Sequence, residues 1–294
     1  MNKIKLLRQK SILIRKRTLR MIGTASHGHT GGSLSCTDIL VALYFGILRY
    51  DPSRPDDPGR DRFIMSKGHS VESYYCVLAE AGFFPEAWLE TYGRFNSPLA
   101  GHPVSTVPGV ELNSGSLGHG LSVGAGMALA GKIDQRDYKV WVLMGDGEQT
   151  EGSVLEAAMA ASHYRLDNLV AIIDRNRLQI SGDTEKVMRL DSLDERYGAF
   201  GWHVVETDGH DIGKMIELFG SLPIVPGKPH LVIANTIKGK GVSFIENQAG
   251  WHHKVPTQEQ LDMALRELDQ QLENPDQQLE NLERKTEKPE KDGR

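Results

Sequence analysis

An aspartate and an asparagine stand where a parallel sheet would bring them together. Asp146 follows the apolar run 139–144, and Asn176 follows the apolar run 169–174. Because ligands of open parallel sheets bind beyond the carboxyl ends of the strands, we expect the two side chains to meet there. Carboxylate and amide oxygens suit Mg²⁺ or Ca²⁺ and not Zn²⁺. The spacing therefore predicts a site for a hard divalent cation at this edge.

The glycines on either side of Asp146 fit a phosphate-bearing ligand. Gly145 and Gly147 have no side chain, so the backbone can approach a diphosphate closely. A helix predicted to begin near Gly152 would direct its free amides toward the same place. A Gly-Asp-Gly turn alone is usually only a turn. The order and spacing of strand, turn, helix, strand and asparagine make the metal and diphosphate prediction more specific.

Apolar runs and helical periodicity predict the elements that hold these residues. Two buried strands joined by one helix favour a parallel β-α-β unit, and a second such unit is expected further along the chain. The fold class is therefore α/β, a parallel sheet sandwiched by helices. Strands are predicted at 62–65, 139–144, 169–174, 202–207 and 230–236. Helices are predicted at 3–24, 38–48, 70–81, 86–92, 121–132, 151–165, 211–219 and 258–272, and loops at 28–32 and 93–120.

Charge is distributed unevenly and suggests the domain organisation. The 36 residues 259–294 contain 11 acidic and 6 basic residues, which accounts for the whole net charge of -5. We expect a ligand-binding domain at 1–258 and, at 259–294, a polar C-terminal helix followed by a disordered tail. The segment 3–20 holds eight lysines and arginines and no acidic residue. A transit peptide or an arm for an acidic partner would fit this segment, but the first helix of the fold is favoured.

Composition also limits the cellular setting. No stretch reaches the roughly 18 apolar residues of a membrane span, and no apolar signal core follows Met1. Cys36 and Cys76 lie in apolar segments and are expected to be buried free thiols, which fits a reduced, cytoplasmic protein. The basic N-terminal run lacks interleaved aromatic residues, so nucleic-acid binding is not expected.

Several histidines directly follow a glycine: His29, His69, His102, His119 and His210. The first four lie in predicted loops or at the starts of elements. Histidine titrates near neutrality and both donates and accepts hydrogen bonds, so such loops could converge on one polar pocket. Any one of these histidines alone is more often an isolated surface or core residue.

The residues 145–182 resemble the thiamine diphosphate motif of transketolases. The resemblance implies a thiamine diphosphate-binding fold and a metal, Mg²⁺ or Ca²⁺, held by Asp146, Asn176 and the backbone carbonyl of Leu178. It places Glu151 on a glutamate that helps to link the two active sites of a dimer.

Further segments resemble the same family. They are Ser26–His29, Asp61–His69, Ala100–Pro103, Ser116–Gly120, Lys238–Gly241 and Trp251–His252. The implied catalytic residues are His29, His69, His102 and His252. The implied cofactor-binding residues are His69, Ser116, Leu117, Gly118, Gly145, Asp146, Gly147, Glu151, Asn176, Lys238 and His252. The sequence departs from the family pattern at His27, where serine is common, at His119, where glutamine is common, and at His253, where glycine is common.

The resemblance extends from residue 3 to about 258 and corresponds to the first of the three domains of a transketolase. In that family a pyrimidine-binding domain supplies the glutamate that activates the cofactor, and no such domain is recognisable here. The resemblance thus implies the N-terminal subunit of a split transketolase, an α₂β₂ heterotetramer with a separately encoded C-terminal subunit. The expected reaction is transfer of a two-carbon ketol unit from a ketose phosphate to an aldose phosphate, and the single chain is expected to be nearly inert.

Three other interpretations remain open at this point. The large subunit of a 2-oxo acid dehydrogenase shares the Gly-Asp-Gly and asparagine pattern, although the histidine segments favour transketolase. A deoxyxylulose-phosphate synthase keeps the histidines but normally carries all domains on one chain. A non-catalytic phosphate-binding module would use the glycine turns structurally. The sugar is not predicted: pentose phosphates are the default, and a specialised sugar route is the alternative.

Overall fold

The structure is a computed structural model that describes residues 3–190 and 192–273. Within them, a five-stranded parallel sheet has the order β1-β2-β3-β7-β6. Its strands are β1 (Arg62–Met65), β2 (Val140–Gly145), β3 (Leu169–Arg175), β6 (His203–Asp208) and β7 (His230–Asn235). A small antiparallel hairpin follows β3 and consists of β4 (Leu178–Gln179) and β5 (Gly182–Asp183).

The central strands are apolar on both faces because helices cover both sides of the sheet. Along β2, Trp141 and Leu143 enter one buried cluster, while Val142 and Met144 enter another. This alternation follows from the two-residue repeat of a strand.

The helices are α1 (Lys3–Ala25), α2 (Thr30–Ser35), α3 (Thr37–Ala42), α4 (Val71–Glu80), α5 (His119–Ile133), α6 (Gly152–His163), α7 (Thr184–Val187), α8 (Leu193–Ala199), α9 (Ile212–Ser221) and α10 (Gln258–Glu273). Shorter turns of 3₁₀ or π type lie at Leu43–Ile47, Gly68–Ser70, Glu86–Thr91, Gly147–Thr150 and Ala249–Trp251.

The predicted parallel α/β fold is confirmed, and each of its five predicted strands lies within two residues of the observed one. One prediction was wrong. Residues 28–32 were expected to form a loop, but α2 begins at Thr30. A Cβ atom on Gly31 would lie 2.9 Å from the Trp251 carbonyl oxygen, and one on Gly32 would lie 2.4 Å from Ser70 Oγ. These glycines allow close packing of a buried helix, which the sequence pattern does not distinguish from a flexible loop.

The predicted C-terminal helix is present as α10 and packs against the rest of the domain. Leu261, Ala264 and Leu268 are buried in one cluster with Ile12 and Leu19 of α1. The basic segment 3–20 forms most of α1. The predicted disordered tail beyond residue 273 lies outside the described residues, and the division at residue 258 stays a prediction.

The structure also shows the state of the cysteines and the polarity of the helices. Cys36 and Cys76 are buried free thiols, as the sequence predicts. Across the described residues, every helix is either too short or too polar to span a lipid bilayer.

Candidate functional site

Side chains capable of chemistry gather at the carboxyl edge of the sheet. His69 lies just beyond β1, Asp146 beyond β2, Asn176 beyond β3 and Lys238 beyond β7. Gly145 pairs in register with Asp174, so the ends of β2 and β3 lie side by side. The parallel topology thereby brings together residues that are far apart in the sequence.

Asp146 is a buried carboxylate, with only 2% of its surface exposed. Its Oδ1 accepts a hydrogen bond from the Gly147 amide at 2.8 Å, and its Oδ2 accepts one from the Arg177 amide at 2.6 Å. The Arg175 guanidinium lies 3.3 Å from Oδ2. Burial and the nearby Asp174 raise the pKa of Asp146, while Arg175 opposes the rise. A cation at this carboxylate would stabilise its ionised form.

Asn176 and Leu178 supply further oxygens beside Asp146. Asn176 Oδ1 accepts a hydrogen bond from the Leu178 amide at 3.1 Å, and its Nδ2 donates to Asp174 at 3.3 Å. The Leu178 carbonyl accepts a hydrogen bond from Lys238 Nζ at 3.0 Å. A metal ion bound to this carbonyl would share the oxygen with that ammonium or displace it.

This donor set fits a hard divalent cation. A carboxylate, an amide oxygen and a backbone carbonyl leave coordination positions for phosphate oxygens and water, as Mg²⁺ requires. No group of three or more His, Cys, Asp or Glu side chains that could hold a metal occurs in residues 3–190 and 192–273. The roles of Asp146, Asn176 and Leu178 as metal ligands remain predictions.

Glu148 joins the two glycine loops predicted to hold the diphosphate. Its buried carboxylate accepts hydrogen bonds from the Gly118 amide at 2.9 Å and the Gly145 amide at 3.0 Å, and from the Ser66 hydroxyl. Gly118 is the N-cap residue of α5 and has a φ of 88°, a backbone conformation that favours glycine. A Cβ atom on Gly118 would lie 2.7 Å from Glu151 Cβ, so these two loops are in direct contact.

The other predicted residues of this region differ in exposure. Ser116 and Glu151 are exposed, Leu117 is half-buried and Gly118 is buried. Glu151 lies at the N-terminus of α6. Their exposure leaves Ser116 and Glu151 accessible to a cofactor or another subunit.

A buried ion pair between Lys67 and Asp174 stabilises the segments that carry the site. The Lys67 ammonium contacts the Asp174 carboxylate and donates a second hydrogen bond to the Gly32 carbonyl at 3.1 Å. The hydroxyls of Ser35 and Thr236 also donate to Asp174. Burial would raise the pKa of Asp174, but Lys67 and these hydrogen bonds outweigh it and lower that pKa. The pair thus ties α2, β1, β3 and the segment after β7 together.

The four histidines predicted to be catalytic converge from four separate segments. The ring centroid of His29 lies 5.3 Å from that of His69, 5.9 Å from that of His102 and 5.8 Å from that of His252. His69 and His252 stack with centroids 5.0 Å apart. We refer to His29, His69, His102 and His252 as the histidine cluster.

Lys238 connects the histidine cluster to the predicted metal site. Its Nζ lies 2.8 Å from His252 Nδ1 and 3.0 Å from the Leu178 carbonyl oxygen. Burial and the charge of Lys67 lower the pKa of Lys238 to about 8. The cluster and the Asp146 region are therefore two parts of one continuous site.

Burial keeps members of the histidine cluster neutral. It lowers the pKa of His252 to about 3, with Lys238 as the next cause. Burial also lowers the pKa of His69, and the charge of Lys67 adds to this effect. His102 is exposed, and partial desolvation of its ring together with the charge of His29 lowers its pKa. Neutral imidazoles can accept or donate a hydrogen bond to a substrate oxygen.

The remaining glycine-flanked histidines lie elsewhere. His119 is exposed at the start of α5. His210 Nδ1 lies 2.7 Å from Asp38 Oδ2, and its Nε2 accepts a hydrogen bond from the Ile237 amide at 2.8 Å. His210 thus has a structural role at the carboxyl end of β6. His27, a departure from the family pattern, is exposed and packs against Tyr92 with the ring centroids 4.8 Å apart and the planes tilted by 32°.

The sequence interpretation missed four buried charged residues of the site: Lys67, Glu72, Glu148 and Asp174. Each is an ionisable residue within or beside an apolar run, and that signal was available. Asp174 interrupts the apolar end of β3, and Glu72 lies in the buried first turn of α4. Buried charges require partners, so such residues mark ion pairs or functional sites.

Comparison with known proteins identifies the family. Residues 8–291 match the family model described as "Transketolase, thiamine diphosphate binding domain". The chain belongs to this family. The transketolase of Campylobacter jejuni subsp. jejuni superimposes with a TM-score of 0.87 at 30% identity, over 92% of this chain and 43% of that one. The chain thus spans less than half the length of this solved transketolase.

Two shorter relatives match along most of their own length. An apulose-4-phosphate transketolase subunit of Phocaeicola vulgatus is 56% identical over 253 residues, which are 86% of this chain and 90% of the relative. The 6-deoxy-6-sulfo-D-fructose transketolase subunit of a Clostridium species is 40% identical over 262 residues, 89% of this chain and 95% of the relative. The predicted relationship to transketolase N-terminal subunits is confirmed, and the family description names thiamine diphosphate as its ligand.

Proposed function

We propose that this chain binds thiamine diphosphate with Mg²⁺ or Ca²⁺ and acts as the N-terminal subunit of a transketolase. With a separate C-terminal subunit it transfers a two-carbon ketol unit from a ketose donor to an aldose acceptor. The observation that carries the proposal is the continuity of the histidine cluster with the Asp146–Asn176 region through Lys238. That arrangement supplies hydrogen-bonding groups for a sugar next to oxygens for a metal diphosphate.

The proposed role of each residue follows from the chemistry of its side chain or backbone. Thiamine diphosphate, when bound, supplies the carbon nucleophile that the side chains of this protein lack. Asp146, Asn176 and the Leu178 carbonyl would hold the metal ion, and the backbone at Gly118 and Gly147 would lie along the diphosphate. Lys238 would place positive charge beside the phosphates.

The histidine cluster would bind the sugar and transfer protons to and from it. His69 and His252, kept neutral by burial, would hydrogen-bond the donor's hydroxyl and carbonyl oxygens. His29 and His102 would take up and return the proton that moves when the carbon–carbon bond breaks. His29 has 24% of its side chain exposed and His102 is exposed, so both can meet an incoming substrate.

A partner chain is part of the proposal. Two relatives that match along most of their length are each named as one subunit of a transketolase. An α₂β₂ heterotetramer, with a pyrimidine-binding domain supplied by the second chain, would place Glu151 near a boundary between chains. The exposed position of Glu151 at the N-terminus of α6 supports this arrangement.

The first donor to test is apulose 4-phosphate. The relative named for that sugar is 56% identical to this chain, whereas the 6-deoxy-6-sulfo-D-fructose transketolase subunit is 40% identical. A donor panel should contain both sugars together with pentulose and hexulose phosphates. Preferential cleavage of one donor by the two-subunit complex would assign the pathway.

Thermal unfolding tests cofactor binding directly. Thiamine diphosphate with Mg²⁺ at about 100 times Kd should raise Tm by about 5 °C or more. Asp146→Asn should abolish the Mg²⁺-dependent part of the rise because it removes the negatively charged metal ligand. The control is Asp137→Asn, an exposed aspartate paired with Arg49, which should behave as the wild-type chain does.

Two results would reject the proposal. One is a wild-type Tm unchanged by thiamine diphosphate and Mg²⁺ with the partner present, which would favour a phosphate-binding module. The other is an Asp146→Asn variant that retains the full Mg²⁺-dependent rise. Cleavage of 2-oxo acids but not of ketoses by the complex would instead support the oxo-acid dehydrogenase alternative.

A further inference from the structure

Glu72 is a fully buried carboxylate beside the histidine cluster, and no role has yet been given to it. It lies in the first turn of α4, where the free amides of a helix favour negative charge. Burial would raise its pKa, but its contacts with His29 and Ser33 outweigh burial and lower that pKa. An ionised carboxylate is thus held inside the protein within reach of His29.

Three hydrogen bonds fix the position of this carboxylate. Oε1 accepts from the His29 amide at 2.8 Å and from the Tyr92 hydroxyl at 2.9 Å. Oε2 accepts from the Ser33 hydroxyl at 2.6 Å. A Cβ atom on Gly28 would lie 2.6 Å from Oε1, so a glycine at that position is required for the approach. The carboxylate therefore orients the backbone on which His29 is carried.

The His29 ring turns its Nδ1 toward Glu72. Nδ1 lies 3.8 Å from Oε1, is buried, and has no hydrogen-bond partner within the described chain. The side chain as a whole is 24% exposed, so its exposed part is the edge away from Nδ1. That opposite edge, with Nε2, is the one available to a substrate.

The charges around the cluster are arranged asymmetrically. The ammonium groups of Lys67 and Lys238 act on His69 and His252. Glu72 Oε1 lies 3.8 Å from His29 Nδ1, and the charge of Glu72 also acts on His102. The groups in contact with the His29 ring are Glu72, His69, His102 and His252. Among these contacts, Glu72 is the acidic residue.

We propose that Glu72 is a positioning residue that selects His29 as the proton carrier of the histidine cluster. Its carboxylate favours a proton on Nδ1 and thereby leaves Nε2 free to accept the proton of the donor's hydroxyl. After that transfer the same carboxylate stabilises the imidazolium until the proton is returned. This inference rests on the proposed transketolase function and adds a residue that acts through His29 and does not touch the substrate.

The variant Glu72→Gln tests the charge separately from the hydrogen bonds. Glutamine has the same shape, its Oε1 can accept from the His29 amide and Tyr92, and its Nε2 can donate to the Ser33 hydroxyl. In the complex with the partner subunit, thiamine diphosphate and Mg²⁺, kcat should fall about 10- to 100-fold, because a positioned proton carrier contributes about 10² or more. KM for the donor and the cofactor-induced rise in Tm should stay close to wild type.

Two comparisons separate positioning from general structural damage. Tyr92→Phe removes a hydrogen bond to the same Oε1 and leaves the charge, so kcat should stay within about threefold of wild type. In a double-mutant cycle, Glu72→Gln should add little to the loss caused by His29→Asn, because both act through one imidazole. Independent structural damage would make the two losses multiply.

Nuclear magnetic resonance of the ¹⁵N-histidine-labelled chain provides a readout without turnover. His29, assigned by the loss of its signals in His29→Asn, should show a protonated Nδ1 in the wild type and a larger share of the Nε2–H tautomer in Glu72→Gln. A kcat unchanged in Glu72→Gln, multiplicative losses in the cycle, or a wild-type His29 protonated only on Nε2 would each overturn the inference. An inactive wild-type complex would instead refute the proposed function, and the tautomer measurement would still decide whether Glu72 orients His29.

Discussion

At the scale of single residues, charged neighbours make the members of the histidine cluster differ in how readily they bind a proton. His69 and His252 have lowered pKa values because they are buried close to two lysine ammonium groups. They are therefore neutral near pH 7 and suited to hydrogen bonding. Electrostatic repulsion by the two ammonium groups disfavours a proton on His69 or His252, which is why proton transfer is proposed for His29 and His102.

His102 provides a direct test of this division. His102→Asn should lower kcat for donor cleavage by about 10²-fold, since it removes a group that can carry a proton but keeps a polar side chain. Binding of thiamine diphosphate and Mg²⁺, measured as the rise in Tm, should change little because His102 lies beside His29 in the histidine cluster and is not one of the predicted metal or diphosphate ligands. His119→Asn, which alters an exposed histidine outside the cluster, is the matched control. Loss of cofactor binding in His102→Asn would show that the residue holds the cofactor.

The sequence could predict the members of the cluster but not what surrounds them. Histidines after glycines can be found by inspection, and the family resemblance selects four candidate histidines. The contact between Glu72 and the His29 amide joins positions 43 residues apart and depends on how α2 packs against α4. Such a contact has no local signal, because any buried glutamate on that helix face would give the same sequence pattern.

At the scale of elements, α10 stabilises the segment that carries Lys238 and His252. Val242, Ile245 and Trp251 from that segment share one apolar cluster with Leu261 and Leu268. A Cβ atom on Gly241 would lie 3.2 Å from Leu268 Cδ2, which shows how closely the helix approaches. The sequence predicts an amphipathic helix here, but it does not predict that the apolar face of this helix contacts the segment that carries Lys238 and His252.

Truncating one side chain of α10 should destabilise the domain. Leu268→Ala should lower the free energy of unfolding by about 2–4 kcal/mol, because Leu268 is fully buried and its removal leaves a cavity. Met263→Ala on the exposed face of the same helix, where Met263 is 41% exposed, should cost less than about 1 kcal/mol. Urea unfolding of both variants measures the difference. Equal costs would mean that α10 does not contribute to the core.

A histidine at the start of β7 should make stability depend on pH. His230 is buried, and its Nε2 accepts hydrogen bonds from the amides of Ile224 and Val225 at 3.0 and 3.2 Å. Burial lowers the pKa of His230 to about 4, below the value of about 6.5 for an unfolded chain. The unfolded state therefore binds more protons between about pH 4 and 6.5, and the free energy of unfolding falls as pH decreases through that range.

The expected loss from His230 between pH 7.5 and pH 5 is about 1–2 kcal/mol. His230→Gln keeps a hydrogen-bond acceptor that does not titrate, so its free energy of unfolding should fall less over the same pH interval. Urea unfolding of the wild type and the variant at both pH values gives the comparison. An identical pH dependence in the two proteins would contradict the assignment.

The central strands β2, β3 and β7 were predictable because each is a largely apolar run bounded by turn residues. The short elements outside the main sheet were harder to predict. The hairpin β4–β5 and the short helices α7 and α8 carry no clear periodicity over so few residues. The glycines of α2 suggest a loop, although packing against Trp251 and Ser70 explains them.

At the scale of the whole molecule, the chain contains one half of a proposed shared site. Its match covers 43% of the Campylobacter jejuni transketolase but 90% of the apulose-4-phosphate transketolase subunit from Phocaeicola vulgatus. Asp146, Asn176 and the histidine cluster would account for the metal, the diphosphate and the sugar oxygens. The described residues contain no second sheet domain from which a group could activate the other end of the cofactor.

Because the proposed site is shared between two chains, catalytic activity should depend on the partner subunit. The purified chain with thiamine diphosphate and Mg²⁺ should show a raised Tm but at most about 1% of the donor cleavage of the two-subunit complex, since loss of a positioned catalytic group costs about 10² or more. Adding the partner subunit in increasing amounts should restore cleavage and saturate at equal molar amounts of the two chains. Glu151→Ala, which alters an exposed side chain at the proposed boundary, should shift this titration to higher partner concentrations, while Glu156→Ala further along α6 should not. Full turnover by the single chain would show that the site is complete without a partner.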